Sequence, residues 1–239
     1  MSKTVTFQDL GSIDYKKAWE YQEKLFNKTL ANKLGKTTGN EPSGSLSGYL
    51  LFCEHPHVYT LGKSGTENNL LINTGILKKI NADFYRIDRG GDITYHGPGQ
   101  VVGYPIFDLS LFKLSIRQYI FNIEEAVILT LDHYGLAPSR LNSASGVWLD
   151  TYDPSKARKI CAIGVRASRY VTMHGFAFNV NTDLNYFSHI NPCGFKDKGV
   201  TSMEKELGSK QDINEVKEKL KTNLSSVFGM ELKNNLVTL

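Results

Sequence analysis

The sequence predicts a mixed α/β fold, a mixed sheet flanked by helices. Helical apolar spacing marks the beginning, middle and end of the chain, strand-like runs fill the stretches between, and 239 residues suffice for one large core. Hydrophobic residues at 41% and charged residues at 22% match soluble globular proteins, which excludes disordered and fibrous chains.

A short opening strand leads to Asp14, a side chain suited to cap a helix carrying Tyr15, Ala18, Trp19, Leu25, Phe26 and Leu30 at helical spacing. Residues 36–48 combine Gly, Pro, Ser and Asn without apolar period and predict a surface loop, not a domain linker. The runs YLLFCEH and HVYTLGK, broken at Pro56, predict strands, as do FYRIDRG and VVGYPIFDL around a glycine-rich segment. Ile116, Ile120, Ile123, Val127, Leu131 and Tyr134 predict a second helix stopped at Gly135. GVWLD, KICAIGV and YVTMHGFAFNV follow as strands joined by short turns, one built on Asp153-Pro154-Ser155, and predict an antiparallel portion of the sheet. A last helix starts at Asp212, with Glu215 as capping-box partner and Ile213, Val216, Leu220, Leu224 and Val227 on one face.

No apolar run approaches the roughly 18 residues that span a bilayer, and the start lacks a signal-peptide core, so a cytoplasmic protein without membrane contact is expected. Three cysteines are too few for a secreted disulfide framework, and reduced thiols are expected. The net charge of +4 helps acidic partners approach but is too small to imply nucleic acid.

The segment RGGDITYHGPGQ, from Arg89 to Gln100, interrupts the strands with four glycines and two ionisable groups, Arg89 and His96. Glycine permits close backbone approach, and freed N–H groups can hold an oxygen gaining charge, so the segment reads as a substrate cradle or as a glycine-rich hairpin. It matches neither common nucleotide-binding glycine pattern. Cys53 and Cys161 sit in apolar strands and read as buried hydrophobes. Cys193 lies in INPCGFKDKG beside Lys196 and Lys198, a setting that favours thiolate, and is either the nucleophile or an ordinary loop cysteine. Lys159 opens KICAIGV; it is either an inward, partly desolvated partner for that thiol or a solvated strand-end lysine. His55 and His57 stand two apart without further ligands, so no metal site is expected, and His174 is a core histidine or lines one cavity with His96.

Taken in order, HPHVYTLGK, RIDRGGDITYHGPGQVVGYPIFDL, KICAIGVRASRYVTMHGFAFNVNTDL and NPCGFKDKGVTS resemble the lipoyl(octanoyl) transferases, over about residues 50–205. The resemblance implies the catalytic-domain fold shared with biotin and lipoate protein ligases, in a single acyltransferase catalytic domain over 1–239. It implies octanoyl transfer from octanoyl-acyl carrier protein to a lysine of lipoyl domains. Cys193 would carry the acyl thioester and Lys159 would activate it. Substrate contacts would fall on Arg89, Gly90, Gly91, Asp92, Ile93, Thr94, Tyr95, His96, Ala162, Ile163, Gly164, Gly175, Phe176 and Ala177, with Tyr95 and Phe176 beside the acyl chain. Cys161 replaces a frequent alanine and is a weak rival nucleophile. No cofactor is expected beyond the phosphopantetheine of the donor. The implied acceptors are the lipoyl domains of 2-oxoacid dehydrogenase complexes and the glycine cleavage H protein. The competing readings are an ATP-dependent lipoate or biotin ligase on the same fold and a non-catalytic module that binds either protein partner.

Overall fold

The computed structural model describes residues 3–35, 46–142, 144–191 and 199–235. In chain order the elements are strand β1 (Lys3–Ser12), helix α1 (Tyr15–Lys33), β2 (Leu46–Glu54), β3 (Val58–Leu61), α2 (Thr74–Lys79), β4 (Asp83–Arg86), β5 (Ile93–His96) and β6 (Gln100–Phe107). There follow α3 (Leu109–Phe112), α4 (Ile116–Asp132), β7 (Ser139–Leu141), β8 (Ala144–Leu149), β9 (Arg158–Ser168) and β10 (Val171–Asn179). The chain closes with β11 (Gly199–Val200), α5 (Met203–Leu207), α6 (Ile213–Phe228) and β12 (Met230–Asn234).

The main sheet runs β12-β1-β2-β6-β10-β9-β8-β7, with β11 added parallel to β9. β12, β1 and β2 pair in parallel, and from β2 to β7 every neighbour is antiparallel, so the expected antiparallel portion is present within a mixed sheet. A second, three-stranded sheet, β4-β3-β5, stands apart from it.

The main sheet is covered on both faces, which explains why its strands read as unbroken apolar runs. Along β2, Leu50 and Phe52 enter one core with Tyr119, Ile123 and Val127 of α4 and Val216, Leu220 and Leu224 of α6. The alternate residues Tyr49, Leu51 and Cys53 enter the opposite core under Ala18, Leu25 and Phe26 of α1. Each large apolar side chain buried this way stabilises the fold by about 1.5–3 kcal/mol relative to its exposure. The small sheet has its own core, in which Tyr59, Leu61, Ile93 and Tyr95 meet Leu77 of α2 and Ile190.

The helix signals hold in detail. Asp14 caps α1 by accepting from the Lys17 amide, and Gly135, at φ +73, follows α4. The reciprocal capping box forms in α4, between Ser115 and Gln118. At α6 the expected box is one-sided: Asp212 accepts from the Asn214 and Glu215 amides, while the Glu215 carboxylate turns to the Tyr134 hydroxyl and Lys219. The buried stripe of α4 is rotated from the one the isoleucines suggested; Tyr119, Ala126 and Thr130 are buried and Ile116 is exposed.

Part of the expected loop at 36–48 is strand. Leu46–Gly48 belong to β2, because β1 and β6 on either side hold the backbone in a ladder that outweighs the weak strand propensity of Ser and Gly. Residues 36–45 lie outside the described residues. No helix among the described residues is long and apolar enough to cross a membrane.

Candidate active site

A cavity opens where the small sheet meets the middle of the main sheet, with about 120 Å³ of interior volume. That is several times the roughly 10–15 Å³ needed for one water, so a molecule with a chain of its own fits. Three separated stretches meet there: Arg89 and Gly91 to Thr94 with His96; Lys159 and Ala162 to Gly164; and His174 to Ala177.

The glycine-rich block is folded against the main sheet by its own polar groups. The Gly90 N–H donates to the Val165 carbonyl of β9 at 3.0 Å, joining the first stretch to the second. Arg89 turns inward, and its guanidinium donates to the carbonyls of Gly90 at 2.7 Å, Asp92 at 2.7 Å and Thr60 at 3.3 Å. A side chain at Gly164 would run into that guanidinium, so β9 approaches closely only because position 164 is glycine. Gly91, at φ +87, supplies the turn that returns the chain to β5. Asp92 accepts from the Ile93 N–H and from Asn69 Nδ2, both at 2.6 Å.

Beneath the cavity lies a buried polar layer. His96 Nδ1 meets Gln100 Oε1 at 2.8 Å, and Gln100 Nε2 donates to Asn179 Oδ1 at 2.8 Å, whose Nδ2 donates to the Thr201 carbonyl. His55 bonds the Tyr104 hydroxyl at 2.7 Å and the Ile13 carbonyl at 2.8 Å. Burial holds His55 neutral, its pKa lowered to about 4, and burial with the neighbouring His55 lowers His96 to about 3. His174 is buried, lines the cavity together with His96, and hydrogen-bonds Asp88 at 2.9 Å through Nε2. Asp88 also pairs with Arg166, and the hydrogen bond from His174 holds its carboxyl below the usual range. The backbone of His174 sits at φ +60, a strained conformation for a side chain of this size, fixed by the Gln22 side chain that accepts from its N–H.

Lys159 lies on the cavity wall, half-buried, with Nζ 4.6 Å from the centre of the Trp148 ring. Strict alternation along β9 would put it on the opposite face. Val147 pairs with Cys161 but Trp148 pairs with Lys159, so Ile160 is an extra residue, a β-bulge. Ile160 and Cys161 therefore both enter the core beneath α4, and Lys159 turns to the cavity.

Of the residues expected at the site, twelve of the fourteen substrate positions line this cavity. Gly90 does not line it and acts through its backbone bond to Val165. Tyr95 also stands outside, turned into the small sheet, where it stacks on Tyr186 and its hydroxyl bonds His57 Nδ1 at 2.7 Å. Ile93 and Tyr95 share the face packed on the small core. Ile93, first in β5, still reaches the cavity, whereas Tyr95, farther along and set among Tyr59, Tyr186 and Phe187, does not. Phe176 lines the cavity. Cys193 lies outside the described residues; on either side of it in sequence, Phe187, Gly199 and Val200 line the cavity, and Val200 pairs with Lys159. Cys53 and Cys161 are fully buried, and burial pushes both thiols well above the usual range, as befits inert residues.

Tyr15, Gln100, Val102, Tyr104, Trp148 and Asn179 also line the cavity and were not among the residues expected to contact substrate. Gln100 and Asn179 carried a usable signal, as amides at the ends of strands that are buried throughout, Gln100 opening β6 and Asn179 closing β10. Among the described residues no group of three or more His, Cys, Asp or Glu is placed to hold a metal ion.

The octanoyltransferase of Cytophaga hutchinsonii is 51% identical over 238 residues, covering 99% of this chain and 98% of that protein. The octanoyltransferase of Christiangramia forsetii is 56% identical over 236 residues, covering 98% and 99%. The bipartite lipoate protein ligase of Thermoplasma acidophilum has the same fold, with a TM-score of 0.70 at 16% identity over 99% of this chain and 87% of that one. Residues 14–225 match the family model described as the lipoyl protein ligase A/B catalytic domain. With relatives this similar along nearly its full length, and with the motif-bearing stretches gathered around one cavity, the chain belongs to the lipoyl protein ligase A/B catalytic-domain family.

Proposed function

We propose that this acyltransferase, an enzyme of octanoyl transfer in protein lipoylation, works through a thioester on Cys193 and takes its octanoyl group from the phosphopantetheine of acyl carrier protein. The observation that carries the reading is the convergence of Lys159 with the glycine-rich block and the β9–β10 segment on one cavity that Ala162, Ile163, Phe176 and Ala177 help to line. The full-length similarity to octanoyltransferases supports the acyl group.

In this mechanism the Cys193 thiolate attacks the donor thioester carbonyl. A bond forms from the sulfur to the acyl carbon, the bond to the phosphopantetheine sulfur breaks, and that thiolate leaves with a proton. Backbone N–H groups around the site stabilise the oxyanion of the tetrahedral intermediate. The amine of a lipoyl-domain lysine then attacks the Cys193 thioester, expels the thiolate and loses a proton as the amide forms. The ammonium of Lys159 stabilises the thiolate at rest and gives its proton to the departing phosphopantetheine sulfur, and the neutral amine then takes up the proton that the attacking lysine loses. Exchange between thioesters is close to neutral and thioester to amide is downhill, so no nucleoside triphosphate is consumed and no cofactor beyond the donor's phosphopantetheine takes part. The acceptors are lipoyl domains, including those of 2-oxoacid dehydrogenase complexes and the glycine cleavage H protein. Residues 1–239 act as one catalytic domain in the cytoplasm.

Incubation with octanoyl-acyl carrier protein, without ATP, should add one octanoyl mass to the intact protein. Cys193→Ala should abolish the adduct, and Cys161→Ala should retain it. An adduct on Cys193→Ala, or transfer that requires ATP, would defeat the assignment.

A further inference from the structure

Trp148 stands directly across from Lys159 on the neighbouring strand, at the bulge that turns the lysine to the cavity. Its ring is 2% exposed, and Nε1 donates to the Ala144 carbonyl at 3.3 Å, which fixes the ring plane. Lys159 Nζ sits 4.6 Å from the ring centre, within the roughly 6 Å over which an aromatic face attracts a cation. Two residues earlier, at Gly146, with φ +117, a Cβ would overlap the Cys161 carbonyl oxygen and would only touch Lys159 Cε, at 3.5 Å, so the glycine lets β8 approach β9 beside the lysine stem.

The charged groups on the adjoining elements have partners of their own. Arg158 is held by Asp150 and Glu206, and Glu206 also accepts from Thr201. Glu124 of α4 pairs with Arg140 and accepts from the Gly146 N–H, and the Cys161 thiol donates to the Ala162 carbonyl.

We propose that Trp148 is the positioning residue of the acyl transfer: its indole face holds the Lys159 side chain against the cavity wall and favours its ammonium form. An aromatic face attracts the ammonium and gives nothing comparable to the neutral amine, so this contact favours both the placement and the protonated form. Lys159 is thereby kept as a resident cation that stabilises a thiolate and supplies the proton with which the donor's sulfur departs. This last role rests on Cys193 being the nucleophile; the hold on Lys159 does not.

The test separates the two. The chain has two tryptophans, so a Trp19→Phe background leaves Trp148 as its only indole, and biosynthetic fluorination then weakens the ring's attraction with little change of shape. The Lys159 titration is followed by NMR of 13C-methylated lysines, assigned with Lys159→Arg. Cys193 reactivity is followed as the pH profile of iodoacetamide alkylation, read by mass spectrometry. Increasing fluorination should lower the Lys159 pKa stepwise, by about one pH unit in all, and move the alkylation profile to higher pH. Trp148→Leu should give the full shift and Trp148→Phe a smaller one. An unmoved Lys159 titration across the fluorinated series, which does not depend on tolerance of the leucine, overturns the proposal. A Lys159 shift with unmoved alkylation upholds the hold by Trp148 and counts against Lys159 acting on Cys193.

Discussion

The two walls of the cavity are built on opposite principles. On the main sheet, β9 and β10 present Ala162, Ile163, Phe176 and Ala177, positioned by a continuous antiparallel ladder between cores on both faces. On the small sheet, the Arg89–His96 block is positioned by side chains: a guanidinium across three carbonyls and a carboxylate between an amide and an asparagine. A ladder distributes its strength over many bonds, whereas a buried polar network fails when one member is lost. The first wall therefore tolerates changes of side-chain volume, and the second is sensitive to proton and donor count.

Acid should show the largest effect. His55 and His96 titrate near 6.5 when unfolded, and in the native protein burial lowers them to about 4 and about 3. Below 6.5 the unfolded chain binds protons that the folded chain refuses, so stability rises with pH over this window and is fully present above it. Each histidine should contribute a slope of about 1.4 kcal/mol per pH unit between its two values. Urea midpoints measured from pH 7 to pH 4 should fall steeply, and His96→Asn should flatten the slope by about one proton. An equally steep slope in that variant would remove the histidine from the explanation.

Arg89→Lys keeps the charge but loses the fork that reaches three carbonyls. It should cost about 2 kcal/mol and speed amide exchange between Gly90 and Ile93, with little change along β10. Uniform exchange in both walls would erase the contrast between them. The smallest effect belongs to the ladder wall. Ala162 pairs with Ala177 on β10 and both line the cavity, so Ala162→Leu takes volume from the chain. The preference for octanoyl over a shorter acyl donor should drop about tenfold, with the melting temperature nearly unchanged. An unaltered preference measured with purified donors would place the acyl chain elsewhere.

The same contrast governs how much was legible beforehand. The main sheet and its helices announced themselves through apolar period and caps such as Asp14 and Asp212, because local pattern and burial agree there. The small elements α2, α3, α5, β7, β11 and β12 carried too little period to register and are held by what they pack against. At the site, the family motifs indicated Arg89, Lys159 and Phe176, whereas Trp148 and Tyr104 read as ordinary strand residues. The inward turn of Arg89 and the face taken by Lys159 were not readable, because both depend on neighbours distant in sequence: β9 for the arginine and the register of β8 for the lysine. Tyr95 shows the converse, a motif residue whose strand position directs it away from the cavity.

The unpaired Ile160 bears on how this strand tolerates insertions and deletions. One codon gained in β8 between Val147 and Trp148 would give Ile160 a partner and restore regular pairing while carrying the amine to the greasy underside of the sheet, so a chain with tidier hydrogen bonding would lose its cavity lysine. Deleting Ile160 would instead leave Lys159 opposite Trp148 on the cavity face. When homologous strands are aligned or the segment is redesigned, a gap placed one position too far would disguise that loss as a harmless polymorphism.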